Sequence, residues 1–397
     1  MRSILSTSVF RFLLLITNFG ASILLARHLT LGERGVISGI MTGVTVFSSI
    51  LSSLQIERIL KHGTSIYQEV KGTTIWVLII GTFSSAWLQQ RYDLNYGVFF
   101  LVFFNFGLTY INALFVNSIF KFQSIFIANC IYLAYSFLIL ASLIGLVLAQ
   151  SLNIISYLSL ASLIELFILC LSLLVHHFRK RHIEVLHSRV TFESSKVSWF
   201  AAFLESNSVA LMIFCFALLA SPNFIALLTL TLSLLSPYLL LLTVLTPFLL
   251  NLDFRLGAFV NRHRGSSRLI RFILICIIFF TGSYLYFIFL SSVITTFLGE
   301  QYIQLQDSSA LICLVGSFLT VDKISMLLLR RFSEDLISLS INLFRYSSFV
   351  VLGFICVQLS PSFNIILLGF LLISILVCFT NILFLGLKYR RKGYVSE

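Results

Sequence analysis

Apolar runs and short polar links alternate along the whole chain. Twelve runs stand out, near 4–26, 36–54, 73–89, 97–116, 124–149, 153–175, 197–219, 223–250, 269–298, 309–329, 335–358 and 363–387. A helix needs ~20 apolar residues to cross a bilayer core, so each run predicts one membrane-spanning helix. The eighth run carries Pro237 and Pro247. A kinked or broken helix is expected there, because proline removes a backbone hydrogen bond. The first run is too long for a signal-peptide core and reads as a retained span.

The links test this count. Odd-numbered links hold Arg27, Arg34 and Arg91, the only basic residues on their side. The link between spans nine and ten carries Glu300 and Asp307 instead. Even-numbered links and the two termini hold 21 basic residues against those 3, with the densest groups at 179–196, 255–271 and 388–392. A wrong span count would scramble the asymmetry. An even number of spans with both termini in the cytoplasm is therefore expected, since basic residues concentrate in cytoplasmic links. The longest polar link, 176–196, divides the chain into an N-terminal six-helix lobe (1–175) and a C-terminal six-helix lobe (197–397). Paired six-span halves predict two bundles around a central cavity, an all-α integral membrane protein.

Composition agrees. Of 397 residues, 58% are hydrophobic and 11% are charged, whereas soluble domains carry roughly 25% charged residues. The net charge of +12 is accounted for by the cytoplasmic links, so no nucleic-acid partner is expected. The seven cysteines (130, 170, 215, 276, 313, 356 and 378) all lie in apolar runs without a C-x-x-C pair. They read as small apolar residues, and neither a metal site nor a disulfide framework is expected. Four histidines, His176, His177, His182 and His187, read as part of a solvated basic link.

Charges inside the bilayer are costly and usually face a cavity or a partner. The candidates are Arg11, Glu165, Glu205, Asp322, Lys323 and Arg345. Helical spacing puts several on polar stripes: Arg11, Asn18 and Ser22; Ser162, Glu165 and Ser172; Ser338, Asn342 and Arg345; and the pair Glu205 and Ser208. Two readings follow. Glu165 and Arg345, both near the midplane, form a buried structural ion pair, or the stripes line a water-filled cavity. Asp322 and Lys323 alternatively sit at the inner interface, where Lys323 and Arg11 reach the headgroups.

Several activities find no support. No Walker motif is present, nor a D-x-D pair. No nucleophile, base and orienting group fall together, so the chain is not expected to be an enzyme. No cofactor is implied. The Gly-x-x-x-Asp-Arg-type motif of the common sugar carriers is missing from "LQIERILKHGTS".

Two stretches carry a resemblance. In "LLARHLTLGERG", the residues Ala26, Arg27, Leu29, Gly32, Glu33 and Gly35 follow the first span. They resemble the first link of the oligosaccharide flippases of the polysaccharide-biosynthesis family. The family more often has Leu-Gly where this chain has Leu29-Thr30. At the end of span nine, Phe297, Leu298, Gly299, Glu300 and Tyr302 resemble the family's pattern of an apolar residue, Gly, an acidic residue and Tyr. Membership would place the chain in the MOP superfamily, beside the MATE-type exporters and the lipid II flippases, with two six-helix lobes. The resemblance implies transport of an undecaprenyl-pyrophosphate-linked O-antigen or other polysaccharide repeat unit across a bacterial inner membrane. A polysaccharide polymerase and a chain-length regulator would be its partners.

From the residues themselves, Arg11, Lys323 and Arg345 are candidates for the pyrophosphate, because guanidinium and ammonium groups pair with phosphate oxygens. Glu165 and Glu205 are candidates to carry H+ or Na+. In the outer turn, Gly32 and Gly35 are expected to permit a sharp reversal, and Arg27 and Glu33 to shape it or pair at its rim. The rival reading is a cation-coupled MATE-type drug exporter, and a further one is a membrane enzyme of the same pathway.

Overall fold

In the computed structural model the chain is helical almost throughout the described residues, which are 2–62, 66–119, 125–179, 200, 203–204, 207–235, scattered positions between 277 and 298, 300–331, 335–359 and 362–394. The helices are α1 (Arg2–His28), α2 (Leu31–His62), α3 (Ile66–Tyr92), α4 (Tyr96–Ser118), α5 (Ile125–Leu148), α6 (Ile154–Arg179) and α7 (Ser208–Ala217). There follow α8 (Pro222–Leu235), the short α9 (Ile303–Asp307), α10 (Ser309–Arg331), α11 (Asp335–Leu359) and α12 (Phe363–Tyr394). Among the described residues, six helices are long and apolar enough to cross a membrane, and three shorter apolar helices accompany them. The chain is a multi-pass, all-α membrane protein. Pro237 and Pro247, and most of the 176–196 link, lie outside the described residues.

Three odd-numbered links are tight turns built by side-chain caps. At the head of α2, the Thr30 amide and hydroxyl donate to Glu33 Oε2 at 3.0 and 2.8 Å, and the Glu33 amide donates to Thr30 Oγ1 at 3.3 Å. This is a capping box, which satisfies amides that the first helical turn leaves unpaired. Asn95 caps α4 by accepting from the Val98 amide at 3.0 Å. Asn153 and Ser156 exchange bonds at 2.9 Å at the head of α6. Asp93 and Gln150 take the left-handed conformation, with φ of 49° and 51°, in the links ahead of those caps.

The chain divides into two compact units. Unit 1 is Met1–Ala217 with Ser221–Thr229; unit 2 is Leu218–Ala220 with Leu230–Glu397. In unit 1, α1 packs on α5, and α4 packs on α2, α3 and α6. Ile40, Leu88, Phe106, Ala128, Leu143, Leu158 and Ala161 fill its core. In unit 2, α12 packs on α10 and α11, with Phe349 and Phe370 in ring contact at 4.4 Å. Ile75, Phe83, Phe137 and Leu163 are exposed, as apolar side chains that meet lipid should be. In hydrocarbon the exclusion of water drives no helix association, so close packing and hydrogen bonds between helices must hold each unit together.

Candidate functional site

Each unit carries a buried polar cluster on the stripes described above. In unit 2, Asp322 of α10 and Arg345 of α11 form an ion pair. Arg345 Nη2 donates to Oδ1 at 2.7 Å and to Oδ2 at 2.6 Å. From α12, Asn381 Nδ2 adds a bond to Asp322 Oδ1 at 2.7 Å. One carboxylate thus joins three helices. Asp322 is 4% exposed and Arg345 6%, so the pair is shielded from solvent and bulk screening. Ser338 and Asn342 continue the Arg345 stripe and are fully buried. Among the described residues, neither amide atom of Asn342 has a hydrogen-bond partner; nor do the Ser338 and Ser374 hydroxyls or Asn381 Oδ1. Orphaned polar atoms at this density mark a place that needs water or a polar guest.

Glu165 of α6 is the centre of the unit 1 cluster. Its carboxylate accepts from Asn112 Nδ2, and from Thr109 Oγ1 at 3.3 Å. The same Asn112 amide reaches the Glu165 carbonyl at 2.7 Å, and Tyr135 adds a side-chain hydrogen bond. A turn away, Asn105 Nδ2 donates to Ser162 Oγ at 2.6 Å and to the Leu158 carbonyl at 3.1 Å. Beyond it, Thr73 Oγ1 and the Tyr110 hydroxyl meet at 2.9 Å, and Tyr110 donates to Gln55 Oε1. Sequence reasoning missed Asn105 and Asn112. They stand seven apart on α4, so the stripe rule that picked out Glu165 would have found them.

The structure revises three sequence expectations and places Asp322. Arg345 pairs with Asp322 of its own unit, while Glu165 is held by amide and hydroxyl donors; the ion pair forms with a different acid. Asp322, for which the inner interface was the alternative, is buried within unit 2 as the acid of that pair. Gly32 and Gly35 lie inside α2, so the reversal is made by Leu29 and Thr30, and Glu33 bonds to Thr30. His176 sits on α6, 5% exposed, with Tyr67 and Phe115 in edge contact at 5.9 and 5.6 Å. It belongs to a packed aromatic group, while His177 beside it is exposed.

Arg11 and Lys323 fall on α1 and α10, with side chains outside the described set; Glu205 and Gly299 lie outside it altogether. Glu300 opens a short 3-10 turn, and Tyr302 is fully buried. Arg27 is exposed. Its neighbour in the motif, Arg34, is 2% exposed and donates from Nη2 to Ser22 Oγ at 3.0 Å.

No family model and no curated protein matches the chain. Solved structures do. One is an inward-facing conformation of a multidrug resistance MATE family transporter of the MOP superfamily. It shares 12% sequence identity over 98% of this chain and 100% of that chain, with a TM-score of 0.58. Another is the MATE multidrug transporter DinF-BH, at 13% identity, 97% and 94% coverage, and a TM-score of 0.53. At such identities the likeness is one of fold: this chain has the fold of MATE transporters.

Proposed function

We propose that the protein is a flippase of a bacterial inner membrane, with both termini cytoplasmic. It carries an undecaprenyl-pyrophosphate-linked oligosaccharide to the periplasmic leaflet by alternating access. The observation that carries this reading is the double resemblance, after span one and at the end of span nine, within a chain of MATE-type fold.

Physical chemistry supports the cargo. A pyrophosphate and a glycan cannot cross hydrocarbon unaided, because their polar groups would lose their hydrogen bonds to water. A transporter for them needs buried polar groups and a cation. Arg345, with Ser338 and Asn342 on its stripe, is the first candidate for the pyrophosphate; Arg11 and Lys323 are the others. Phosphate would replace the Asp322 carboxylate at the guanidinium, so loading exchanges one anion for another. Glu165, already held by three neutral donors, is the candidate for H+ or Na+, and Glu205 is the second candidate for that role. A polysaccharide polymerase and a chain-length regulator would act downstream.

A second reading, a cation-coupled drug exporter, is favoured by the description of both matched structures as multidrug transporters. One experiment separates the two. Lipids from a deletion strain are extracted and probed for pyrophosphate-linked repeat units, and the strain is challenged with toxic cationic dyes. The flippase reading expects accumulated units and unchanged dye tolerance. Intact surface glycan with lost dye tolerance would move the exporter reading to the front.

A further inference from the structure

Arg345 meets Asp322 through one nitrogen. Nη2 donates to both carboxylate oxygens, at 2.7 and 2.6 Å. The firmest guanidinium–carboxylate pairs are two-pronged, with parallel bonds from two nitrogens. This pair is of a looser kind, and it already has a neutral third member in Asn381 Nδ2, 2.7 Å from Asp322 Oδ1.

A second amide stands close by. Asn342 lies one turn before Arg345 on the same face of α11. The ring contact of Phe349 with Phe370, and the approach of Leu352 to Gly369, set the register of α11 against α12. For antiparallel neighbours that register puts Asn342 within about one turn of Asn381. Both asparagines are fully buried. Among the described residues neither amide atom of Asn342 has a hydrogen-bond partner, and the Ser338 hydroxyl, one turn further along that face, has none either. A buried amide left unsatisfied destabilises the folded chain. A leucine would serve α11 better if packing were all that position 342 does.

Loading of the cargo supplies a use for the amide. Once phosphate takes Arg345, the Asp322 carboxylate loses its cation inside unit 2, where a bare charge is strongly disfavoured. Asn381 already holds one of its oxygens. The N–H groups of Asn342 are donors for the other, and a carboxylate that accepts several hydrogen bonds from neutral donors stays ionised.

We propose that Asn342 and Asn381 are positioning residues that receive the Asp322 carboxylate when cargo phosphate takes Arg345. The acid changes partners without leaving the seam of α10, α11 and α12, and the orphaned amide is the seat kept for it. This rests on the assignment of Arg345 to the pyrophosphate above.

The test is a mutant cycle read by lipid binding. Undecaprenyl pyrophosphate is titrated into the detergent-purified full chain. Without lipid, Asn342→Leu melts at or above the parent, yet it binds the lipid at least tenfold more weakly. Asn381→Leu weakens binding in the same direction. In an Asp322→Asn background, where no charge is displaced, Asn342→Leu changes the affinity less than twofold. An Asn342→Leu chain that binds as the parent does overturns the proposal. So does a tenfold loss that persists in the Asp322→Asn background, which would place the amide on the lipid itself. Should the leucine not fit, Asn342→Ala carries the binding test. Should Asp322→Asn not fold, infrared difference spectra of the parent with isotope-labelled aspartate decide. A carboxylate band that shifts on loading, and no longer shifts in the Asn342 variant, supports the seat; an unmoved band in the loaded parent overturns it. A parent that binds no pyrophosphate lipid overturns the cargo reading and the seat together. Failure of the cycle in a parent that does bind removes the seat alone.

Discussion

Asp322 and Arg345 meet at 2.6 Å with both side chains more than nine-tenths buried. Breaking such a pair leaves one charge uncompensated in a poor solvent, at a cost of about 3–5 kcal/mol. Asp322→Ala is therefore expected to destabilise unit 2 more than the double change Asp322→Ala/Arg345→Ala. Thermal unfolding of the detergent-purified protein measures the order. A single variant that melts with the double, or above it, would mean that the pair is not the carboxylate's main role.

Glu165 offers a cleaner separation of stability from function. Asn112 and Thr109 donate to different carboxylate oxygens. Glu165→Gln keeps one oxygen for Asn112, the Thr109 hydroxyl turns to accept from the new amide, and the loss is about 1 kcal/mol or less. Its melting temperature should stay near the parent's while transport falls at least tenfold. Unaltered transport would remove Glu165 from the coupling role.

At Gly39 a Cβ would overlap the Tyr92 hydroxyl and stand 2.7 Å from the ring carbon that bears it. Gly39→Ala should therefore destabilise by about 1–3 kcal/mol, the usual cost of overpacking. The Tyr92 hydroxyl is buried without a hydrogen-bond partner among the described residues, so Tyr92→Phe alone should be near neutral, and combined with Gly39→Ala it should recover part of the loss. Melting curves of the three variants check this.

The same phenol gives a pH prediction. Burial pushes Tyr92 from 10.0 up to about 12, with Arg91 acting the other way. Between those values the unfolded chain releases a proton that the folded chain keeps. Stability then falls as pH rises from 10 towards 12. Tyr92→Phe should flatten that fall, as read by melting temperature against pH.

Thr30 closes the capping box of α2. Thr30→Ala should cost about 1 kcal/mol and loosen the head of the helix that carries Gly35. Hydrogen exchange at residues 31–35 reports the loosening.

The architecture was legible because lipid allows so few solutions. Every backbone group must be satisfied within a span, so apolar length alone predicts helices. The buried charges were legible for the same reason: an Arg or a Glu in an apolar run is conspicuous. Their partners were not. Asp322 and Asn381 lie 23 and 36 residues from Arg345 along the chain, and only the packing of α10, α11 and α12 brings them together. Gly35 illustrates another limit. A glycine near a turn predicts backbone freedom, and the sequence holds no sign that Pro222 would arrive above it. His176 was lost to its neighbours, since three further histidines drew it into a polar link that α6 in fact outruns.

Reconstitution tests the central claim most directly. Purified protein is placed in vesicles containing a pyrophosphate-linked oligosaccharide, and transfer between leaflets is followed with a glycan-modifying enzyme added outside. The account predicts that the parent transfers the lipid, that Arg345→Ala transfers it at least tenfold more slowly, and that transport of a cationic dye stays at background in both. Transport of the dye by the parent, with no transfer of the glycolipid, would contradict it.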